Sequence, residues 1–328
     1  MSKKSFFSRP DGSYLRDIDP FMRFFPFMMK GRNDSAVYFK QQVDVTALRA
    51  YINAQNREAA NESGDGVMST LFYGILTAII KTMIERPQTN RFVIGHRIYQ
   101  RNRLSCAFVI KSEFRDNANE EIAIMNFEQD DTLKTISERM AKEIRKARET
   151  SRQQDKTRHG AVNWLNLLMK FPRIVLRGFM RFISWLDYHG WLPRFVVDAD
   201  PMHTSIFISN LGSLKIDAPF HHLYEWGTTS FFVTIGAVQK VPMVMPDGTT
   251  AIRDTINLAI TVDERISDGY YFAKTVRRVK FLIEHPEELN KKSTPNRGYY
   301  AVSPSLAARS FRCRIERYRV QSHNNDQL

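Results

Sequence analysis

Hydrophobic and polar positions alternate most regularly late in the chain, where Ile256, Leu258, Ile260 and Val262 interleave with Asn257, Ala259, Thr261 and Asp263. That is the period of a half-buried strand, and if the alternation continues Glu264 points to the apolar side. Downstream, Phe272, Val276, Val279 and Ile283 recur at helical spacing, with Lys274, Arg277, Arg278 and Lys280 on the other faces. The pattern predicts a strand handing over to a helix, with Asp268 as the N-cap. Two further strong strands are expected over 204–210 and 230–236. Toward the N-terminus, a strand over 36–43 leads through Asp44 into a helix carrying Leu48, Tyr51 and Ile52, and Gly64 and Gly66 mark a loop. Ser69 is placed to cap the next helix, in which Leu71, Phe72, Ile75, Leu76, Ile79, Ile80 and Met83 leave few polar faces, so this helix should be central. It stops before Pro87, and Gln88, Thr89 and Asn90 read as a turn. Strands around 92–94, 106–110 and 122–127 follow, then a helix capped by Asp131 that runs to about Thr150. This mixture describes an α/β or α+β arrangement with the sheet as its core.

Two segments break the pattern. Residues 21–29 are so dense in phenylalanine and methionine that they must pack on something, read here as core or a subunit contact in preference to lipid. In 161–197, Trp164, Leu165, Leu168, Phe171, Val175, Phe179, Phe182, Ile183 and Leu186 make a broad apolar surface, while Lys170, Arg173, Arg177 and Arg181 share one helical face. Charges at every turn exclude a bilayer span, which needs roughly 20 predominantly apolar residues. Two arrangements fit: a basic amphipathic helix lying on an anionic membrane surface, and a helical hairpin folded onto its own domain with Pro172 starting the second helix.

Composition adds an anionic partner to this picture. The 328 residues are 43% hydrophobic and 25% charged, enough to bury a sizeable core, and carry a net charge of +13. Residues 161–197 hold +4 of that excess and residues 291–328 hold +6. Such a local basic excess suits a phosphorylated cofactor, a membrane surface or nucleic acid, with plain solvated surface as the alternative. Nucleic acid is disfavoured, because the basic run from Phe311 to Val320 carries no recognisable motif. Cys106 and Cys313 have no paired-ligand spacing, which argues against a disulfide framework or a zinc site. The start of the chain lacks the apolar run of a secretory signal. A cytoplasmic location is expected, peripheral on the inner face of the membrane if the basic helix docks there.

The chemical candidates are few. The adjacent His221 and His222 read as structural or surface residues, and no HExxH or CxxC supports a metal. GxGxxG, GxxxxGK[ST] and GxSxG are absent, which removes the usual phosphate cradles and the serine-hydrolase elbow. What remains is Ser209 in Ile208-Ser209-Asn210-Leu211-Gly212 at one strand end, and Asp263-Glu264-Arg265-Ile266-Ser267-Asp268-Gly269 at another, with 55 residues between Ser209 and Glu264. In this order and context the chain resembles the catalytic domain of the 2-oxoacid dehydrogenase acyltransferases, which shares its fold with chloramphenicol acetyltransferase and carries an ISNLG-like strand end followed by DHRxxDG and a helix. Val43-Asp44-Val45-Thr46, Pro87-Gln88-Thr89-Asn90, residues 104–110 and His285-Pro286-Glu287-Glu288-Leu289 look like further elements of that family, so the resemblance covers roughly residues 20–290.

The resemblance implies a two-layer α/β sandwich, a mixed sheet with packed helices, assembling as a homotrimer with its active site at the subunit boundary and a channel for coenzyme A. It implies a catalytic domain over 21–290 with a helical insertion at about 155–200, an N-terminal extension over 1–20 and a basic tail over 291–328. Acyl-CoA would be a co-substrate, with no bound cofactor and no metal. The chain starts directly with the catalytic pattern, so a stand-alone enzyme without lipoyl or subunit-binding domains is expected. In the family the DHRxxDG histidine is the general base, and a serine at the position of Ser209 stabilises the tetrahedral oxyanion. Asp268 matches the aspartate that holds the site together through ionic contacts, and Asn210 and Gly212 shape the turn carrying Ser209. The departure is Glu264, which stands where the family has histidine. A carboxylate near its reference pKa of about 4.3 is a poor base for a thiol or hydroxyl. Desolvation would raise it, whereas pairing with a nearby arginine would silence it. His203 and His222 are candidates to supply an imidazole from elsewhere in the fold. The expected function is transfer of an acyl group from acyl-CoA to a hydroxyl, amine or thiol acceptor. The alternative is an inactive trimer of the same fold serving as a binding or scaffold protein.

Overall fold

The computed structural model of the chain describes residues 9–63, 67–111, 120–157 and 170–293. Its strands are β1 (Gly12–Tyr14), β2 (Ala36–Asp44), β3 (Arg91–Ile94), β4 (Arg97–Arg101), β5 (Leu104–Lys111), β6 (Glu120–Phe127), β7 (Ile206–Asn210), β8 (Phe231–Ile235), β9 (Gln239–Val244) and β10 (Thr250–Asp263). Its helices are α1 (Pro20–Met28), α2 (Thr46–Ser63), α3 (Leu71–Glu85), α4 (Leu133–Thr157), α5 (Arg173–His189), α6 (Arg194–Ala199) and α7 (Gly269–Glu284). Seven strands form one sheet in the order β2-β10-β8-β7-β5-β6, with β9 paired to the first part of β10. The β5–β7 and β7–β8 pairs are parallel and the others antiparallel, so the sheet is mixed. β8 is buried along its whole length, as befits a strand in the middle of a covered sheet.

Strand parity divides the core. Ile206, Ile208, Phe231, Val233, Ile260 and Val262 belong to one apolar cluster with Leu76, Ile80, Phe272 and Val279 of α3 and α7. On the other parity, Ala107, Phe207 and Phe232 lie with Leu223 in a smaller cluster, where the long β7–β8 connection crosses the sheet. Thr234 and Thr261 fasten that connection, donating to the carbonyls of Pro219 (2.5 Å) and His221 (2.6 Å). α3 is the central helix its sequence predicts, buried from Tyr73 to Met83 without interruption.

Several boundaries differ from the sequence pattern. Thr70, and not Ser69, caps α3, its hydroxyl accepting from the Tyr73 amide. Ser69 instead bonds Asn56 and Ser137. α4 continues past Thr150 to Thr157. β4 has no counterpart among the expected strands. It pairs with β3 across Gly95 and His96, both left-handed at φ 57° and 56°, which is the geometry of a two-residue hairpin turn. With β1 these strands form a second, three-stranded sheet. Residues 21–29 are mostly α1, but only Pro26 is buried, and Phe21, Phe24, Phe27 and Met28 are exposed, so this segment is not core of the chain. α5 begins at Arg173 with Pro172 as its N-cap, where the hairpin reading puts the start of its second helix. The expected first helix of that hairpin, with Trp164, Leu165 and Leu168, lies outside the described residues, as do Gly64, Gly66, Cys313 and the basic tail from 294 onward.

Leu76 is fully buried at the middle of α3. Leu76→Ala should cost about 3 kcal/mol in urea unfolding, and Thr70→Ala about 1 kcal/mol through the lost cap.

Candidate functional site

The end of β10 is locked by a buried ion pair. Asp263 is fully buried; its Oδ1 accepts from Arg265 Nε (2.8 Å) and Ser35 Oγ (3.0 Å), and its Oδ2 from Arg265 Nη2 (2.7 Å). The Arg265 guanidinium also donates to the Met29 carbonyl (3.1 Å), and the Glu264 amide donates to Ser35 O (2.9 Å). The α1–β2 connection is thereby wrapped around the motif. A bidentate carboxylate–guanidinium fork of this kind fixes direction as well as distance.

This lock changes the expectation for Glu264. The strand ends at Asp263 and Glu264 opens a turn of 3-10 helix, so the alternation does not continue. Ile266 takes the apolar position, fully buried, and Glu264 is half-buried. The neighbouring arginine is committed to Asp263, and the Glu264 carboxylate makes no hydrogen bond or ion pair among the described residues. Asp268 is exposed and caps α7, accepting from the Tyr271 amide (2.8 Å). It makes no ionic contact among the described residues. The turn Pro87–Asn90 braces the motif from the side through a Ser267 Oγ to Gln88 Oε1 hydrogen bond (2.7 Å).

Ser209 is half-buried at the far end of β7. The following turn is tight: Asn210 Oδ1 accepts from the Gly212 amide (3.1 Å), and a Cβ on Gly212 would meet the Gly236 carbonyl at 2.9 Å. Register then separates the two candidates. Ser209 is level with Thr234 of β8, and Thr234 with Ala259 of β10, whereas Glu264 follows β10 off the opposite end of the sheet. At about 3.3 Å per residue and about 4.8 Å per strand, five residues along and two strands across amount to roughly 19 Å. One chain does not bring Ser209 and Glu264 together.

Of the two candidate histidines, His203 is committed through both ring nitrogens. His203 is buried, with Nδ1 2.9 Å from Asp200 Oδ2 and Nε2 3.2 Å from Asp187 Oδ2. Acceptors on both ring nitrogens hold it as the imidazolium. Burial opposes that charge, but the hydrogen bonds and charges of Asp187 and Asp200 prevail and keep its pKa above the ordinary histidine value. Asp187 also takes Arg9 Nη2 (2.7 Å), and Asp200 takes Trp226 Nε1 (2.5 Å). Burial likewise opposes the charge on both carboxylates, and their partners, His203 first, hold them below the usual carboxylate range. His222 is exposed, and its Nδ1 donates to the Leu223 carbonyl (3.0 Å). His221 lies flat on Phe232, ring centroids 3.9 Å apart.

Beside the motif is an open cavity of about 380 Å³, lined by Arg32, Arg265, Glu225 and Trp226 and by Met180 and Ser184 of α5. Neither Ser209 nor Glu264 lines it. Arg32 is buried and donates to the carbonyls of Tyr224, Glu225 and Val93, but its Nε has no partner. The sequence carried no signal for Arg32 or Ser35 beyond their place after the aromatic run. Among the described residues no cluster of histidine, cysteine and carboxylate is placed to hold a metal ion.

This architecture is the chloramphenicol acetyltransferase-like α/β sandwich that the sequence led us to expect. The structure of a probable dihydrolipoamide acetyltransferase from Listeria monocytogenes 4b F2365 superposes with a TM-score of 0.55 at 18% identity, covering 86% of this chain and 99% of that one. The cubic core of the pyruvate dehydrogenase multienzyme complex does so at 0.54 and 14% identity, covering 84% and 94%. In sequence, residues 198–290 match the family of 2-oxoacid dehydrogenases acyltransferase (catalytic domain). The lipoamide acyltransferase component of the branched-chain alpha-keto acid dehydrogenase complex of Bacillus subtilis (strain 168) is 21% identical over 252 residues, 75% of this chain and 46% of that protein. The chain therefore spans about half the length of this curated relative.

The buried charges make stability depend on pH in a defined sense. His203, raised, contributes in full below its unfolded value of about 6.5 and loses that contribution as pH rises through its folded value. Asp187 and Asp200, lowered, contribute in full above about 3.9 and lose it as pH falls. Urea unfolding should show this contribution greatest between roughly pH 5 and 6 and declining on the alkaline side. His203→Asn should flatten the alkaline limb and cost about 3 kcal/mol at the optimum.

Proposed function

We propose that this protein is a coenzyme A-dependent acyltransferase whose active site is completed between two copies of the chain, Ser209 of one serving the tetrahedral oxyanion and Glu264 of its neighbour acting as the base. The observation that carries this reading is the register of β7, β8 and β10, which puts two motif-bearing strand ends on opposite ends of one sheet. Two residues that far apart in a chain act on one reacting centre only if a neighbour presents its opposite end. The fold and the sequence similarity supply the reaction class.

In the proposed step, the acceptor O–H, N–H or S–H loses its proton to Glu264 as the acceptor atom bonds to the thioester carbonyl carbon. Ser209 Oγ–H donates to the resulting oxyanion, and the collapsing intermediate expels the coenzyme A thiolate, which recovers the proton. The Asp263–Arg265 fork holds the backbone on which Glu264 is carried. The carboxylate is uncommitted among the described residues, which suits a group that must exchange a proton. The acyl chain and the acceptor are those that the partner-completed channel admits. Asp268 positions this machinery by capping α7.

A second reading is a catalytically inactive trimer of this fold acting as a binding or scaffold protein. The end of the strand alternation favours it: Glu264 opens a 3-10 turn and is only half-buried, while Ile266 takes the apolar position.

Thiol release from acetyl-CoA and longer acyl-CoAs, measured across hydroxyl, amine and thiol acceptors, separates the two. Ser209→Ala should lower kcat roughly 100-fold, and Glu264→Gln at least about as much. An equal mixture of the two variants, unfolded and refolded together, should recover roughly a quarter of the wild-type sites, since a neighbour supplies what each lacks. Failure of the mixture to recover activity would place the site within one chain. Absence of acyl-CoA binding, or a gain of activity only in Glu264→His, would favour the scaffold.

A further inference from the structure

α5 is built inside out. Its one acidic side chain, Asp187, is buried against Arg9 and His203, and Leu176 and Ile183 are half-buried on the same side. The opposite side is apolar and faces outward: Ile174 is 78% exposed, Phe182 55% and Trp185 47%. Trp191, just past the helix, is exposed and packs edge-on against Trp185, ring centroids 5.2 Å apart, which extends the surface. A surface helix normally shows its polar face to water, and an outward aromatic face of this size marks a partner. Arg173, Arg177 and Arg181 run in a row along one flank, all exposed and none in a hydrogen bond or ion pair among the described residues.

We propose that this face of α5, with Trp191, docks on the surface of an anionic lipid bilayer. The cationic row is the first argument, because it meets lipid phosphates with complementary charge while Ile174, Phe182 and Trp185 enter the headgroup–acyl boundary. Tryptophans at the edge of an apolar face suit that boundary, where one end of the ring is dry and the other wet. A second copy meeting this face with its helix antiparallel about a twofold axis would set arginine row against arginine row. The helix lies on the membrane and does not cross it, since no helix among the described residues is long and apolar enough to span one. The buried Asp187 network sets the rotation of the helix, so the apolar side cannot turn inward without unpairing three charges.

The test is flotation of the full chain with equimolar phosphatidylcholine–phosphatidylglycerol vesicles at low and high salt, with pure phosphatidylcholine vesicles as control. Binding to the anionic vesicles should be strong at low salt and weaken as salt is added. Replacing Arg173, Arg177 and Arg181 by Glu should weaken it by roughly a hundredfold, and Phe182→Glu with Trp185→Glu should abolish it, both with unchanged circular dichroism and melting temperature. No binding at low salt, or binding that these variants leave intact, would overturn the proposal. So would dissociation of the oligomer by Trp185→Glu, read by analytical ultracentrifugation, with no vesicle binding by the wild type, since the face would then be a contact between copies.

Discussion

The register of β10 is the constraint on which the rest depends. This strand is hydrogen-bonded to β2 along nine residues, to β8 along five and to β9 along six. A one-residue slip would turn Ile260 and Val262 out of the helical layer and put Asp263, now sealed with Arg265 and Ser35, on the wrong face. Because β8 stands between β7 and β10 and runs antiparallel to β10, the same register also sets how far Ser209 stands from Glu264. Core packing and site geometry are thus decided by one set of backbone hydrogen bonds.

The connection between β6 and β7 has a separate logic. α3 and α7 bury their apolar stripes against the sheet, but α5 is held by charge. Arg9, Asp187, His203 and Asp200 come from three regions of the chain and satisfy one another away from water. Such a network contributes less net stability than an apolar contact of the same volume would, but it tolerates only one arrangement. It can therefore present a hydrophobic surface outward, which a helix docked by hydrophobic burial could not do.

Much of the fold was legible because it is local. The alternation in β10, the all-round apolar pattern of α3, the helical spacing of α7 and its Asp268 cap each need only a short window of sequence. The β3–β4 hairpin is signalled locally only by the glycine of Ile94-Gly95-His96-Arg97, placed where the turn needs a positive φ. Two features of the site were out of reach. Alternation carries Glu264 onto the apolar face because periodicity does not say where a strand stops. The separation of Ser209 from Glu264 follows from strand order, which a series of predicted strands does not contain. His203 looked like a spare imidazole because its partners at 187 and 200 become neighbours only through the packing of α5.

The pairing of Arg9 with Asp187 spans 178 positions, and β2 pairs with β10 over a still longer stretch, Val37 opposite Val262. On a ribosome both N-terminal elements are made early and have nothing to pair with until much of the chain has followed. Arg9 must wait for α5, and the edge of the sheet must wait for its neighbour strand. The open edge of β2 would spend that interval unpaired, so the vulnerable period of this protein falls during its synthesis, before its last long strand has emerged.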